Sequence, residues 1–561
     1  MLSRVRKFAQ VCRRSSTVLS VVGGGAIGLF GLSGLVGCNE LTGSQPLPSG
    51  TVDPSTYNTP AGALSMRNTA IYAIEQSLPF YLADAGLLTD ELESNQVGAS
   101  PGILSSSNLP SGGSLDERIL PELTTGDGTN ADVIYGTLQA VRGDVNQALS
   151  ALATYDPAAP PAVRGELYAL DGYAEILLAD FFCSGVPLST VDFQQDFTYH
   201  AGSTTAQVYQ DAITKLDTAL ALSSDSVWIL NLARVLKGRA LLALGGTANV
   251  AAAAQAVTAV PDGFQYQLAI QWQVGQINIL TGTGDAAATV SDREGGNGLP
   301  YISSGDPRTA VTNTGTSSTG AVLYFPVRYN LTSFSPFPVA DWIEARLIQA
   351  EAVLQAGDVT TWLADLNQLR TSGESITTTP ASTVFDTAWV TGCTNNARLC
   401  TDSVPTGTSY AGFTIDSVLT VTLTQGSPAW QVCWADAGSR ASDCNNPVPV
   451  VVYGKGAVVD TSWSPGTGGV SGLSQLIDPG TDTARVSLMF QERAYWLFLT
   501  GHRQGDLRRL IRQYGRSQAQ VYPIGPYNAP GAGQYGSDVT APIPAGEYTN
   551  PLFQGCLNRG A

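Results

Sequence analysis

The sequence predicts a mainly α-helical protein: an irregular, tetratricopeptide-like stack of helix pairs with long loops and one small disulfide-stapled insertion of loops and short strands. Three observations predict it. Apolar residues recur at helical spacing through much of residues 61–372 and again in 476–561. Several of these segments are separated by only two to four residues, the unit from which antiparallel helix pairs are stacked. Between 373 and 475 the composition turns to Thr, Ser, Gly and Val, and the stretch holds Cys393, Cys400, Cys433 and Cys444.

The chain opens with Arg4, Arg6, Lys7, Arg13 and Arg14 and no acid, then runs through the apolar TVLSVVGGGAIGLFGLSGLVGC to Cys38. Basic, then apolar, then small residues is the order of a secretory signal. LVGC has the pattern of a bacterial lipobox, in which the cysteine thiol is acylated and the chain is cut just before it; an N-terminal helix anchor is the competing reading. RRSSTVL adds a weaker hint of twin-arginine export. Residues 1–37 are therefore expected to leave as a lipoprotein signal peptide and Cys38 to carry the lipid. Residues 38–60, rich in Gly, Pro and Ser, then form a flexible tether to the membrane.

Of 29 basic residues, five sit in that leader, so the mature chain carries 46 acids against 24 bases, a formal charge of −22. Such a surface repels polyphosphate, which argues against nucleic acid as a partner.

Within 61–372, Tyr209, Ile213, Leu216 and Leu220 line one helix face, and Ile229, Leu232, Leu236 and Ala243 line the next, which ends at Gly245 and Gly246. ANVAAAAQAVTAVPDG gives a third helix stopped by Pro261. DWIEARLIQAEAVLQAGD carries Ile343, Leu347, Ala350 and Leu354 and is punctuated by Gly357 before VTTWLADLNQLRTSG. The glycines and prolines of 262–340 exclude long helices. In the insertion, 373–475, SVLTVTLTQ and NPVPVVVYG read as strands. Residues 476–561 return to helix from about Asp482 to Tyr514 and complete the same domain.

Six cysteines remain after Cys12 leaves with the signal and Cys38 is acylated. Six allow 15 pairings. Short spacing favours Cys393 with Cys400 and Cys433 with Cys444, leaving Cys183 with Cys556, against free buried thiols as the alternative. No CxxC occurs, and neither His200 nor His502 has a ligand neighbour at useful spacing, so no metal or other cofactor is expected.

Catalytic motifs are absent: there is no GxSxG, P-loop, HExxH or dinucleotide fingerprint. A glycosidase's carboxyl pair is defined by separation in space, so no spacing in sequence selects one. DREGGNG is glycine-rich, but Asp292 and Glu294 oppose an anion, and it reads as a turn. The most charged stretch, ERAYWLFLTGHRQGDLRRLIRQYGR at 492–516, holds six basic residues and His502. Leu497, Phe498, Leu507, Leu510 and Ile511 interleave its charges, Asp506 and Arg509 sit one helical turn apart, and Gly501 marks a junction between two helices. Its charges are expected to be structural ion pairs.

Here the residues resemble the SusD/RagB outer-membrane lipoproteins. The resemblance rests on Glu492-Arg493, Gly501-His502-Arg503 and Asp506-Leu507-Arg508-Arg509. EARLIQAEAVLQAGD with LNQLR ending at Arg370, LADFFCSGVPLS, SDREGGNGL with Asp306-Pro307-Arg308, and PIPAGEYTNP at 542–551 add to it. It spans about residues 60 to 555. Tyr495, Trp496 and Thr500 depart from it, standing where charged residues are usual.

The resemblance implies a helical scaffold facing outward on the outer membrane, a non-enzymatic lid on a SusC-like TonB-dependent transporter. Such a protein binds a glycan, or sometimes a peptide, and delivers it. An anchored glycan hydrolase and a protein-binding helical scaffold are the alternative functions. Sugar sites use aromatic faces, with amides and carboxylates on the hydroxyls. Candidates are Trp389, Trp430, Trp434, Trp463 and Tyr453 in the insertion, and Tyr81, Asp90 and Glu91 in FYLADAGLLTDELESNQ, read as an N-terminal loop.

Overall fold

The computed structural model of the chain describes residues 58–94, 115–120, 130–192, 196–270, 272–274, 277–278, 288–316, 322–329, 335–372, 473–527 and 533–561. It also describes two short strand pairs, Ser409–Tyr410 with Phe413–Thr414 and Gln431–Val432 with Val448–Pro449. Cys38 and the signal and tether segments lie outside the described residues up to position 57. So do Trp389, Trp430, Trp434, Trp463, Tyr453, Cys393, Cys400, Cys433 and Cys444. Val448–Pro449 falls in the second predicted strand of the insertion, and the first predicted strand is outside the described residues.

The helices follow the order α1 (Pro60–Leu88), α2 (Asn130–Tyr155), α3 (Pro161–Phe181), α4 (Thr205–Leu222), α5 (Val227–Leu244) and α6 (Thr247–Val257). After a region of strands come α7 (Trp342–Gln355), α8 (Val359–Ser372), α9 (Asp482–Trp496), α10 (Arg503–Tyr514) and the short α11 (Gln518–Val521). Each helix from α1 to α7 packs on the next, which makes a sequential stack ending at α8. The predicted faces turn inward: Tyr209, Ile213 and Leu216 of α4 and Ile229, Leu232, Leu236 and Ala243 of α5 are buried.

Local chemistry sets the ends. Thr204 and Gln207 form a reciprocal capping box at the start of α4, and the Ser226 side chain accepts from Ile229 N to begin α5. Gly245, at φ 71°, ends α5 in a conformation that L side chains rarely adopt.

One expectation changes. FYLADAGLLTDELESNQ is not a loop throughout, because Phe80–Leu88 are the last turns of α1, which carries Pro79 inside it. Those residues are buried against the rest of the stack, and tertiary burial supports the helix past the proline.

The strands are short. β1 (Leu92–Ser94) pairs antiparallel with β3 (Ala288–Val290), and β2 (Gln265–Ile270) pairs with β6 (Ser335–Asp341). β4 (Val311–Thr316) and β5 (Val322–Pro326) form a hairpin. Along β2 burial alternates, with Tyr266, Leu268 and Ile270 inward, as one covered face requires. β6 runs straight into α7, and its last residue, Asp341, caps that helix by accepting from Glu344 N at 2.7 Å. The chain then returns on itself, with α10 crossing α1 and α3 and α9 packing on α7. Among the described residues no helix is long and apolar enough to cross a membrane.

Candidate functional site

The charged stretch 492–516 folds as α9, a turn at Leu497–Gly501, and α10. Most of its charges point inward, while Arg512 is exposed and Arg516 half-buried. Arg493 Nε lies 2.8 Å from Asp506 Oδ2, and Arg509 reaches both Asp506 (2.9 Å) and Glu351 of α7 (2.6 Å). Arg503 holds Asp90 through two bonds of 2.6 and 2.8 Å, and Glu492 accepts from Arg308 at 2.7 Å and Arg370 at 3.3 Å. Burial would raise the Asp506 carboxyl, but Arg493 and Arg509 hold it well below the usual range. Glu344 is likewise buried, yet Arg239, at 2.6 Å, and His502 hold it down to about 2.

His502 lies inside this lattice. Its Nδ1 is 2.8 Å from Thr500 Oγ1 and its Nε2 is 3.1 Å from Glu344 Oε1. Burial, with Arg239 close by, pushes the ring below its ordinary value. Asp506 with Arg509, the junction at Gly501 (φ 81°) and the structural role of the charges all agree with the sequence reading.

Tyr81, Asp90 and Glu91, expected at a ligand surface, are buried in the same part of the core. Tyr81 packs 5.9 Å from Phe181 and presses on Gly501, where an added Cβ would sit 2.9 Å from its ring. Asp90 is committed to Arg503 and to Leu299 N at 2.9 Å. Glu91 accepts from Leu499 N at 2.8 Å, and burial pushes its carboxyl up to about 8. None of the three side chains is offered at the surface, because they are packed or bonded where the end of α1 and the segment after it meet the α9–α10 turn. The five aromatic candidates of the insertion lie outside the described residues and add no geometry.

The described surface offers a different set. After α3 the chain makes a double hairpin: Val186–Pro187 pairs with Gly202–Ser203, and Thr190–Val191 pairs with Phe197–Thr198. Phe197 and Tyr199, two residues apart and therefore on one side, place their rings 6.3 Å apart and within 19° of parallel. They are 63% and 45% exposed, and His200 beside them is exposed too.

The C-terminal tail locks this hairpin. Cys183 and Cys556 form a disulfide across 373 residues of sequence, the pairing left over in the sequence reading. Ser184 N donates to Asn558 O at 2.9 Å, Leu557 N donates to Ser184 O at 2.7 Å, and Asn550 Nδ2 donates to His200 O at 2.9 Å. Tyr548, on the same tail, is exposed at 63%. Exposed parallel rings with carbonyls, a carboxylate at Asp196 and an imidazole nearby can stack on an apolar ring face and satisfy hydroxyls at its edge. Sequence reasoning missed this set; the signal is the alternation Phe197-Thr198-Tyr199 in a polar stretch. Among the described residues no group of three or more His, Cys, Asp or Glu is placed to hold a metal ion.

No protein-family model matches the chain, and no curated protein sequence matches it. Solved structures do. A SusD superfamily protein from Bacteroides thetaiotaomicron superposes with a TM-score of 0.53 at 12% identity, covering 89% of this chain and 99% of that one. A SusD superfamily protein from Bacteroides vulgatus gives 0.50 at 13% identity, covering 88% and 98%. The sequential helix stack, the α9–α10 return and this near-complete overlap together establish that the chain has the SusD fold.

Proposed function

We propose that the protein is an outer-membrane lipoprotein, anchored through Cys38, that binds a glycan and hands it to a SusC-like TonB-dependent transporter. The observation that carries this reading is the fold, shared over nearly the whole length of SusD superfamily proteins. The lipobox at Cys38 supports the anchor, and the acidic balance of the chain supports a neutral ligand rather than a polyanion. Binding, not turnover, is the activity proposed: His502 is buried against Glu344 and Thr500, and the carboxyls of 492–516, Glu492 and Asp506, are held inside the fold by arginines.

Phe197, Tyr199 and His200 are proposed as a glycan contact on the described surface, held rigid by the disulfide and the tail. The test is a panel of neutral oligosaccharides and peptides titrated against the full chain purified in detergent, together with a pull-down for a large outer-membrane barrel. Saturable binding of an oligosaccharide and recovery of a barrel support the reading. Binding of peptides alone moves the ligand class, and recovery of no barrel removes the transporter.

A further inference from the structure

Three arginines inside the fold grip carboxylates with the same edge. Arg239 holds Glu344, Arg493 holds Asp506 and Arg503 holds Asp90, each through Nε and Nη2 together, at 2.6–3.0 Å. The N–H groups of that edge run parallel, and their spacing matches the two oxygens of a carboxylate.

Arg328, two residues beyond β5, breaks the pattern. It is 8% exposed, and its Nη1 donates to Phe498 O in the α9–α10 turn. Its Nε and Nη2 are buried and meet no acceptor among the described residues. No other arginine among those residues has both atoms of this edge buried and unmet.

A buried charge is costly unless a counter-charge and hydrogen bonds meet it. Two carboxyls lie close enough for Arg328 to act on them, Glu91 and Asp341, but both are bonded elsewhere. Asp341 accepts from Glu344 N at 2.7 Å as the cap of α7. Glu91 accepts from Leu499 N at 2.8 Å, and burial pushes it up to about 8, so near neutral pH it brings little negative charge.

The surroundings call for an acceptor too. The Arg328 guanidinium carbon lies 5.7 Å from the centre of the Tyr329 ring, and the Trp272 ring meets the same Tyr329 at 5.2 Å. Trp272 Nε1 is a further buried donor without an acceptor among the described residues. The Tyr329 hydroxyl, by contrast, is used: it donates to Leu499 O at 2.7 Å. Both unmet groups are donors, which a cation or an apolar ligand leaves unsatisfied. Water brings one oxygen and no charge, whereas a planar oxyanion brings two oxygens at the spacing of the edge and the missing negative charge.

The edge also has a structure to serve. Arg328 and Tyr329 bond consecutive carbonyls of the turn, Phe498 O and Leu499 O, and Leu499 sits at φ 53°, a left-handed conformation that is rare for a residue with a side chain. An anion on the free edge neutralises Arg328 where it stands and leaves Nη1 on the turn.

We propose that the Nε–Nη2 edge of Arg328 is a binding site for one small planar oxyanion of the carboxylate class, such as formate, acetate or bicarbonate, and that this anion completes the hold of Arg328 on the α9–α10 turn. The site shares no residue with the hairpin surface and does not depend on what that surface binds.

The probe is formate, and the protein is the full chain in detergent, first dialysed free of carboxylate buffers. Equilibrium dialysis against radiolabelled formate is expected to show saturable binding of one anion per chain, with a thermal midpoint that climbs with formate at constant ionic strength. Acetate and bicarbonate are expected to compete. Arg328→Lys keeps the charge but loses the two-donor edge, and should weaken binding by at least about ten-fold. Arg328→Met removes the charge and should abolish binding. A crystal structure of the wild type grown in formate reads the site without a variant and should place the anion on Nε and Nη2. The absence of saturable binding to the folded wild type overturns the proposal. So does wild-type affinity retained by either folded variant, or formate bound elsewhere while water sits on the Arg328 edge.

Discussion

The α9–α10 crossing and the hairpin–tail surface are both held by contacts between residues hundreds of positions apart, but they spend their chemistry in opposite directions. At the crossing, Arg493, Arg503 and Arg509 turn inward onto Asp506, Asp90 and Glu351, which removes all six side chains from solvent. At the hairpin, a disulfide and main-chain bonds do the holding, which leaves the side chains of Phe197, Tyr199 and His200 exposed. The segment with the most charge is architecture. The segment with little charge presents the surface a ligand can touch. Burial explains the difference: a desolvated carboxylate survives only where a guanidinium meets it, whereas an aromatic face gains from being covered later by a partner.

Breaking the crossing should give the largest effect. Asp506→Ala leaves Arg493 and Arg509 facing a void and should destabilise the fold by ~3–5 kcal/mol, read by chemical denaturation. Replacing Cys183 and Cys556 with serine should cost about 2–5 kcal/mol and free the tail, which a reducing agent should reproduce in the wild type.

Glu91 sharpens the comparison from the other side, since burial pushes it up to about 8 and it takes its hydrogen bond from Leu499 N. A carboxyl raised in the fold gives stability that is full below its unfolded value and is lost as pH climbs through the folded one. Glu91→Gln should therefore match the wild type near pH 5 and exceed it near pH 9 by at least ~1 kcal/mol, measured by denaturation at both. Smallest is the exposed pair Arg346 with Asp262, 2.8 Å apart: Asp262→Asn should change stability by no more than ~1 kcal/mol.

Periodicity carried most of the stack. The faces of α4 and α5, the Asp506–Arg509 pair and the break at Gly501 follow from spacings of one or two helical turns, which a sequence displays directly. Partners at long range were hidden. Arg509 meets Glu351 across 158 residues and Arg503 meets Asp90 across 413, and no spacing encodes either. That gap also explains Tyr81, Asp90 and Glu91: read locally they resemble a polar, aromatic loop, and only the return of α10 turns them into core. Phe197 and Tyr199 escaped notice because a two-residue strand is too short for alternation to stand out.

The claim that the quiet surface binds the ligand has a direct test. The double variant Phe197→Ala with Tyr199→Ala is titrated with the oligosaccharide that the wild type binds, while its thermal midpoint is recorded beside it. The expected result is an unchanged midpoint and an affinity lower by at least about ten-fold, ~1.4 kcal/mol. Unchanged affinity in a folded double variant would contradict the assignment of the glycan contact to this hairpin.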